Sequence, residues 1–373
     1  MVRLRHGLVA FAILAFLISG TLLAPSFADG GANHRVRNQH FGVSGGNVLD
    51  ASRAFCCSGT LGALLTDGTN QYILSNNHVL GRSDQAVAGE DVSQPGLIDS
   101  GCRVATVVGD FTTAAPFGAT STNVDAAIAQ LRPGTMDSTG FIEDIGVPSS
   151  AVVLPSVGLS VAKSGRTTGF TTGTISAINA SVTVQYQRGC GGGKKFNVSF
   201  SNQVVINSST FSAGGDSGSL IVSNSGKNPV ALLFAGSSTT TIGNPATLVL
   251  QRLSLMLGRS LSFVGSGGGG SSPTTQTGKK NELEPFMRGH RGVIPQLPEQ
   301  AADRASGVLE LHRANLMATP GVIGAGVGAT SENDIEPAIV VYVDRTAPGR
   351  PQFAPALDGV AVRVVYTDPF VAF

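Results

Sequence analysis

The chain has 373 residues, room for two domains or for one large and one small. Lys plus Arg (25) nearly balance Asp plus Glu (24), which excludes the strong basic field of a nucleic-acid binder. Charged residues are only 13% while glycine numbers 49 and tryptophan is absent, a composition suited to short strands and tight turns, not to long amphipathic helices.

The N-terminal "MVRLRHGLVAFAILAFLISGTLLAPSFADGG" has a positive head at Arg3 and Arg5, an apolar core over 7–23 and a small-residue exit at Ser26-Phe27-Ala28. This pattern reads as a secretory signal peptide, residues 1–28, cleaved after Ala28. The apolar run is marginal for spanning a bilayer, and no other segment is long and apolar enough. The mature protein is therefore expected to be secreted or periplasmic, with no stable membrane insertion. Cys56, Cys57, Cys102 and Cys190 form an even set, and an oxidising compartment permits disulfides. None has zinc-ligand spacing, so neither a metal nor a cofactor is expected. Adjacent Cys56 and Cys57 are not expected to pair with each other, and the pairing stays open.

Residues 29–50 read as a polar, glycine-rich, flexible lead-in. From 51 to 264, apolar runs such as "GTLGALLTDGTNQYILSNN", "CRVATVVGDF", "VDAAIAQL", "TTGTISAINASVTVQYQ" and "GSLIVSNSGKNPVALLFAGSS" are cut by hairpin turn signals. The spacing predicts a mainly β domain, a sandwich or a pair of barrels. A helix is expected in this region only over 246–257, where leucines recur at helical spacing. Residues 265–280, "GSGGGGSSPTTQTGKK", read as a flexible linker. Its glycines lack the Lys-Ser/Thr and the following helix of a phosphate loop. Residues 281–373 then predict a small α+β module. A helix ends at Pro320-Gly321, and "GVIGAGVGA", "PAIVVYVDR" and "VAVRVVYTDPF" read as strands. "GAGVG" follows a helix instead of opening one, so it is read as strand backbone in close approach and not as a dinucleotide fingerprint. Glu310 and His312 on the helix have no partner cluster and are read as surface or packing residues.

Three segments of the β-rich part carry chemistry. "LSNNHVLGR" places His78 at a strand end, "TNVDAAIAQL" places Asp125 at the head of an apolar strand, and "SAGGDSGSLIV" places Ser217 in a glycine-flanked turn. Each has a bland alternative: a packed histidine, a loop-tethering carboxylate, a simple turn. Together they supply a nucleophile, a base and an orienting acid in the order His, Asp, Ser. A serine hydroxyl needs a base to take its proton, and imidazole, titrating near neutrality, can take it and pass it on. The N–H groups of Gly215 and Ser217 would face the developing oxyanion.

"SNNHV", "NVDAAIA" and "GGDSGSLIV" resemble the trypsin-like, chymotrypsin-fold serine peptidases. The run 157–186 is similar to the opening of the second barrel in streptogrisin and α-lytic-type enzymes. "CCSGTLGALLTDGTNQYILSNNHVLG" and "QPGLIDSG" are closer still to the bacterial and plant narrow-leaf-like proteins. The resemblance covers about residues 50–260. It implies two six-stranded barrels with the site between them, His78 and Asp125 from the first and Ser217 from the second. It also implies a primary pocket lined by Phe211, Ser212, Ala213, Phe234, Ala235, Gly236 and Ser237. No acidic residue lies there, so an apolar or small substrate side chain is expected. The sequence departs from the pattern at Ser219-Leu220 and lacks a cysteine after His78. The expected mature start, Asp29-Gly30-Gly31, is not the apolar terminus that partners the Asp before the serine in trypsin-type enzymes, so Asp216 needs another partner.

The expected function is exported serine endopeptidase, with peptides or proteins as partners. The alternative is a catalytically weak peptide-binding or scaffold protein on the same fold. An esterase is disfavoured by the lack of a GxSxG elbow. The C-terminal module is expected either to contact the peptidase domain, covering its cleft or helping it fold, or to serve as a separate tethered module.

Overall fold

The computed structural model describes residues 32–120, 123–267, 296–332 and 334–373. The expected signal peptide and linker residues 268–280 lie outside them. In chain order the first sheet takes β1 (Val43–Asn47), β2 (Gly59–Leu61), β3 (Ala63–Thr66), β4 (Gln71–Ser75), β5 (Asp91–Gln94), β6 (Thr106–Ala114) and β7 (Ala127–Leu131). A one-turn helix, α1 (Asn77–Leu80), follows β4. The β3–β4 turn forms because the Asp67 carboxylate accepts the N–H groups of Thr69 and Asn70 at 2.8 and 2.7 Å, an Asx turn that the "TDGT" sequence favours.

The second sheet contains β8 (Ser160–Gly165), β9 (Gly169–Thr174), β10 (Ala177–Gln187), β11 (Lys195–Asn207), β12 (Leu220–Ser223), β13 (Pro229–Gly236) and β14 (Thr240–Pro245). The expected helix is α2 (Ala246–Leu257), which buries Ala246, Val249 and Leu253 and stops at Gly258 in the left-handed conformation, as helix ends favour. The chain then returns β15 (Ser262–Phe263) to the edge of the first sheet beside β3. That sheet therefore has eight strands, in the order β15-β3-β4-β7-β6-β5-β1-β2.

The C-terminal part contains α2's counterpart α3 (Glu299–Ala318), then β16 (Val322–Ala329), β17 (Pro337–Asp344), β18 (Ala356–Leu357), β19 (Val360–Thr367) and β20 (Phe370–Ala372). Ala302, Ala305, Leu309 and Leu316 of α3 pack with Ala325, Val327, Ile339 and Val341 in one core cluster. These strands extend the second sheet, because β16 pairs antiparallel with β10, Ala177 opposite Gly328 and Val182 opposite Gly324. β20 has a separate place, between β10 and β13. The architecture is mainly β, an eight-stranded and a twelve-stranded sheet, with α3 and the strands after it forming an α+β part joined to the second sheet.

Candidate active site

His78 does not end a strand, as its sequence context suggests. β4 stops at Ser75, and His78 sits in α1. The buried pair Asn76-Asn77 makes this turn. Asn76 Nδ2 donates to the Asp125 carbonyl at 2.7 Å, and Asn77 Nδ2 to Asp84 Oδ1 and the Ala115 carbonyl at 2.6 and 2.9 Å. Peptide-like donors cannot be buried unpaired without cost, so these amides dictate where the strand gives way. The backbone of Asp125 is fixed from the second sheet too, since its N–H donates to Asn244 Oδ1 at 3.2 Å.

His78 Nδ1 lies 2.6 Å from Asp125 Oδ2, and the His78 N–H donates to Asp125 Oδ1 at 3.2 Å. Asp125 is fully buried. Burial lowers the His78 pKa, but the charge and hydrogen bond of Asp125, the Phe373 carbonyl and Asp50 together outweigh it and hold the imidazole above its ordinary 6.5. A third residue joins this pair. Tyr186 on β10 donates its hydroxyl to Asp125 Oδ2 at 2.8 Å and meets the His78 ring edge-on at 5.8 Å. Burial and the Asp125 carboxylate push the Tyr186 phenol well above its ordinary value, so it stays a donor.

Ser217 sits in a turn that is held from both sheets. The Ser217 carbonyl accepts the Thr60 N–H at 2.8 Å, and Thr60 Oγ1 donates to the Gly215 carbonyl at 3.0 Å. The approach is so close that a Cβ on Gly218 would stand 2.1 Å from the Thr60 carbonyl oxygen, and Gly218 has φ +96°. Only glycine fits there. Asp216 finds the partner that the sequence left unassigned. Its carboxylate accepts the N–H groups of Thr167, Thr168 and Ala213 at 2.8, 3.1 and 3.0 Å, and Lys163 Nζ lies 3.5 Å away, both side chains fully buried. Burial lowers the Lys163 pKa, and Asp216 opposes that shift.

Gly215 has φ +97°. Among the described residues neither its N–H nor that of Ser217 has an acceptor. Ser217 Oγ donates to the Phe234 carbonyl at 3.0 Å. The expected pocket residues fall into two groups. Phe211 is core, and Ser212 Oγ bonds Thr241 Oγ1 at 2.5 Å. Phe234 is buried against Phe200, while Ala235 and Gly236 face β20 and Ser237 Oγ meets Thr367 Oγ1 at 2.7 Å.

A cleft of about 610 Å³ opens beside His78, lined among others by Asp50, Arg82, Arg166, Gly214, Gly215 and Phe373. Burial pushes the Asp50 carboxyl up to about 6, against the pull of His78 and Arg82. Both disulfides border the cleft, Cys56–Cys102 and Cys57–Cys190, and the second ties the first sheet to the β10–β11 turn.

Sequence reasoning missed Tyr186, Lys163 and β20. The signal for Tyr186 was a phenol on the face that carries Val182 and Val184 in "SVTVQY", and that for Lys163 was a lone cation in the strand "SVAKSG".

No protein-family model matches the chain, and no curated protein does. Among solved structures it is similar to a glutamic-acid-specific serine protease described as using a histidine triad in substrate binding. The identity is 22%, with 60% of this chain and 98% of that one covered, at a TM-score of 0.42. It is similar to a chymotrypsin of Cellulomonas bogoriensis at 18% identity, covering 61% and 99%, with a TM-score of 0.39. It is also similar to protease A of Thermobifida fusca at 18%, covering 56% and 92%, with a TM-score of 0.38.

Proposed function

We propose that the protein is an exported serine endopeptidase in which Ser217 is the nucleophile, His78 the general base and Asp125 the orienting carboxylate. The observation that carries this reading is the short contact of His78 Nδ1 with the buried Asp125 Oδ2, 2.6 Å, at the mouth of a cleft that also takes in Gly215. Two disulfides support the oxidising destination, since such bonds persist outside the cytosol.

In the reaction, Ser217 Oγ attacks the carbonyl carbon of the scissile peptide while His78 Nε2 takes its proton. Asp125 holds the Nδ1–H tautomer and stabilises the imidazolium. The oxyanion accepts the Gly215 and Ser217 N–H groups, each such donor contributing about 3 kcal/mol. The imidazolium returns its proton to the leaving amine, and an acyl-enzyme remains. Water, deprotonated by His78, then attacks the acyl carbon and frees Ser217.

One feature favours the second reading, a peptide-binding protein of weak activity: Ser217 Oγ is turned to the Phe234 carbonyl. A fluorophosphonate separates the two, because only an activated serine is phosphonylated. Labelling at Ser217, lost in Ser217→Ala and strongly reduced in His78→Ala, is the expected result. A folded protein that neither labels nor cleaves casein, as wild type and with residues 370–373 removed, would overturn the endopeptidase reading.

A further inference from the structure

β20 lies where an extended peptide would lie beside the nucleophile. It runs antiparallel to β13, Ala372 opposite Ala235 and Val371 opposite Gly236. The Phe373 N–H donates to the Phe234 carbonyl at 3.3 Å, the oxygen to which Ser217 Oγ also donates. The Phe373 carbonyl oxygen lies 3.0 Å from His78 Nε2. The main chain of Phe373 thus stands between the base and the strand that carries the pocket.

The side chains of the segment meet different surroundings. The Phe373 ring packs on the cluster containing Ile206, Phe211 and Leu233. The pocket admits it because residue 236 is glycine: a Cβ there would stand 2.6 Å from Phe373 Cζ. Val371 is 39% exposed, whereas Phe370 is buried against Tyr342. The segment is also anchored upstream, by Thr367 on Ser237, by Asp368 on Ser238, and by an Arg345 Nε–Asp368 Oδ1 contact of 2.9 Å. Phe373 lines the same cleft as Gly214, Gly215 and Arg166.

The hydrogen bonds also fix the state of the base. The Phe373 carbonyl can only accept, so its contact with His78 Nε2 requires a proton on that nitrogen. Asp125, Tyr186 and Asp50 are titratable groups that face the ring. A protonated Nε2 cannot take the proton of Ser217.

We infer that residues 370–373 are a built-in, substrate-like inhibitor of the site, and that Phe373 names its substrate class. The favoured peptides are extended, with phenylalanine or a similar aromatic residue on the acyl side of the cleaved bond and a small residue before it. This inference rests on the proposed endopeptidase reading, but its occupancy part can be tested without turnover.

Two variants release the segment: a chain ending at Pro369, and Phe373→Asp, which puts a charge into an apolar pocket. Fluorophosphonate labelling of Ser217 and hydrolysis of a Phe-Val-Ala-Phe anilide are expected to rise at least tenfold in both, with the Phe anilide preferred at least tenfold over Glu and Lys counterparts. Equal labelling rates in the wild type and in folded Phe373→Asp, with folding checked by circular dichroism, would overturn the inhibitor. Should the shortened chain fail to fold, the point variant decides. In a Ser217→Ala chain ending at Pro369, calorimetric titration with the peptide Phe-Val-Ala-Phe is expected to show saturable binding, at least tenfold weaker for Phe-Val-Ala-Asp. Absence of binding overturns the occupancy. Binding without any labelling or hydrolysis leaves the occupancy standing and removes the endopeptidase reading.

Discussion

Tyr186 and His78 share one carboxylate oxygen: the Tyr186 hydroxyl reaches Asp125 Oδ2 at 2.8 Å while His78 Nδ1 reaches the same atom at 2.6 Å. A hydrogen bond to a buried charge contributes about 1.5–3 kcal/mol. Tyr186→Phe is therefore expected to fold and to lose roughly tenfold to a hundredfold in kcat/KM. With that donor gone, more of the carboxylate's charge faces His78, so the acid limb of the pH–rate profile should move upward. An unmoved limb would assign Tyr186 to packing alone.

The His78 pKa lies above 6.5, and the base must be neutral to act. Activity should fall as pH drops through a value above 6.5, and Asp50, at about 6, adds a second titration in the same cleft. Asp50→Asn removes a neighbouring negative charge and should shift the limb downward to a single ionisation. For stability the sign is opposite: a raised histidine pKa contributes fully below 6.5 and is lost as pH rises through the folded value. Profiles of kcat/KM and of Tm against pH from 5 to 9 check both.

Lys163 and Asp216 form a fully buried ion pair. Removing one partner of such a pair costs about 3–5 kcal/mol, because the other charge stays buried. Lys163→Met should lower Tm by several degrees and disorder the Ser217 turn, cutting activity. A melt and turnover like the wild type's would show that the three N–H donors to Asp216 are sufficient.

The Cys57–Cys190 bridge closes a sequence separation of 133 residues, against 46 for Cys56–Cys102. Loss of a native bridge of this kind costs about 2–5 kcal/mol. The Cys57→Ser/Cys190→Ser pair is expected to lower Tm and, because this bridge borders the cleft, to raise KM for peptides. Cys56→Ser/Cys102→Ser should destabilise less. Thermal melts and steady-state kinetics of the two variants decide the order.

Gly215→Ala would set a Cβ 2.5 Å from Thr167 Oγ1 and 2.6 Å from Arg166 Nη1, at a φ of +97°. The strain should rotate one N–H away from the oxyanion position. A loss of about 10²–10³ in kcat with little change in KM is expected, measured on the anilide substrate.

The sequence by itself determined what depends on neighbours along the chain. Most strands of the two sheets, the helix Ala246–Leu257 and the helix Glu299–Ala318 follow from periodicity and turn chemistry, while the buried strand β1 falls in the stretch read as a flexible lead-in; the chemistry expected of His78, Asp125 and Ser217 follows from their residue types in local motifs. What tertiary structure alone decided are relationships between distant residues. Asn76 and Asn77 find their acceptors at residues 125, 84 and 115, so the strand gives way to a helical turn before His78. Lys163 is a lone cation in a strand until β8 is brought beside the Asp216 turn. Tyr186 gains its meaning from the register that carries β10 to Asp125, and the cysteine pairing from the meeting of segments far apart in the chain. Phe370 reads as the end of the strand "VAVRVVYTDPF", yet it opens β20, which enters the gap between β10 and β13. Local pattern sets which backbone shape each segment prefers, whereas these pairs are fixed only when buried donors, charges and rings meet partners that the fold delivers.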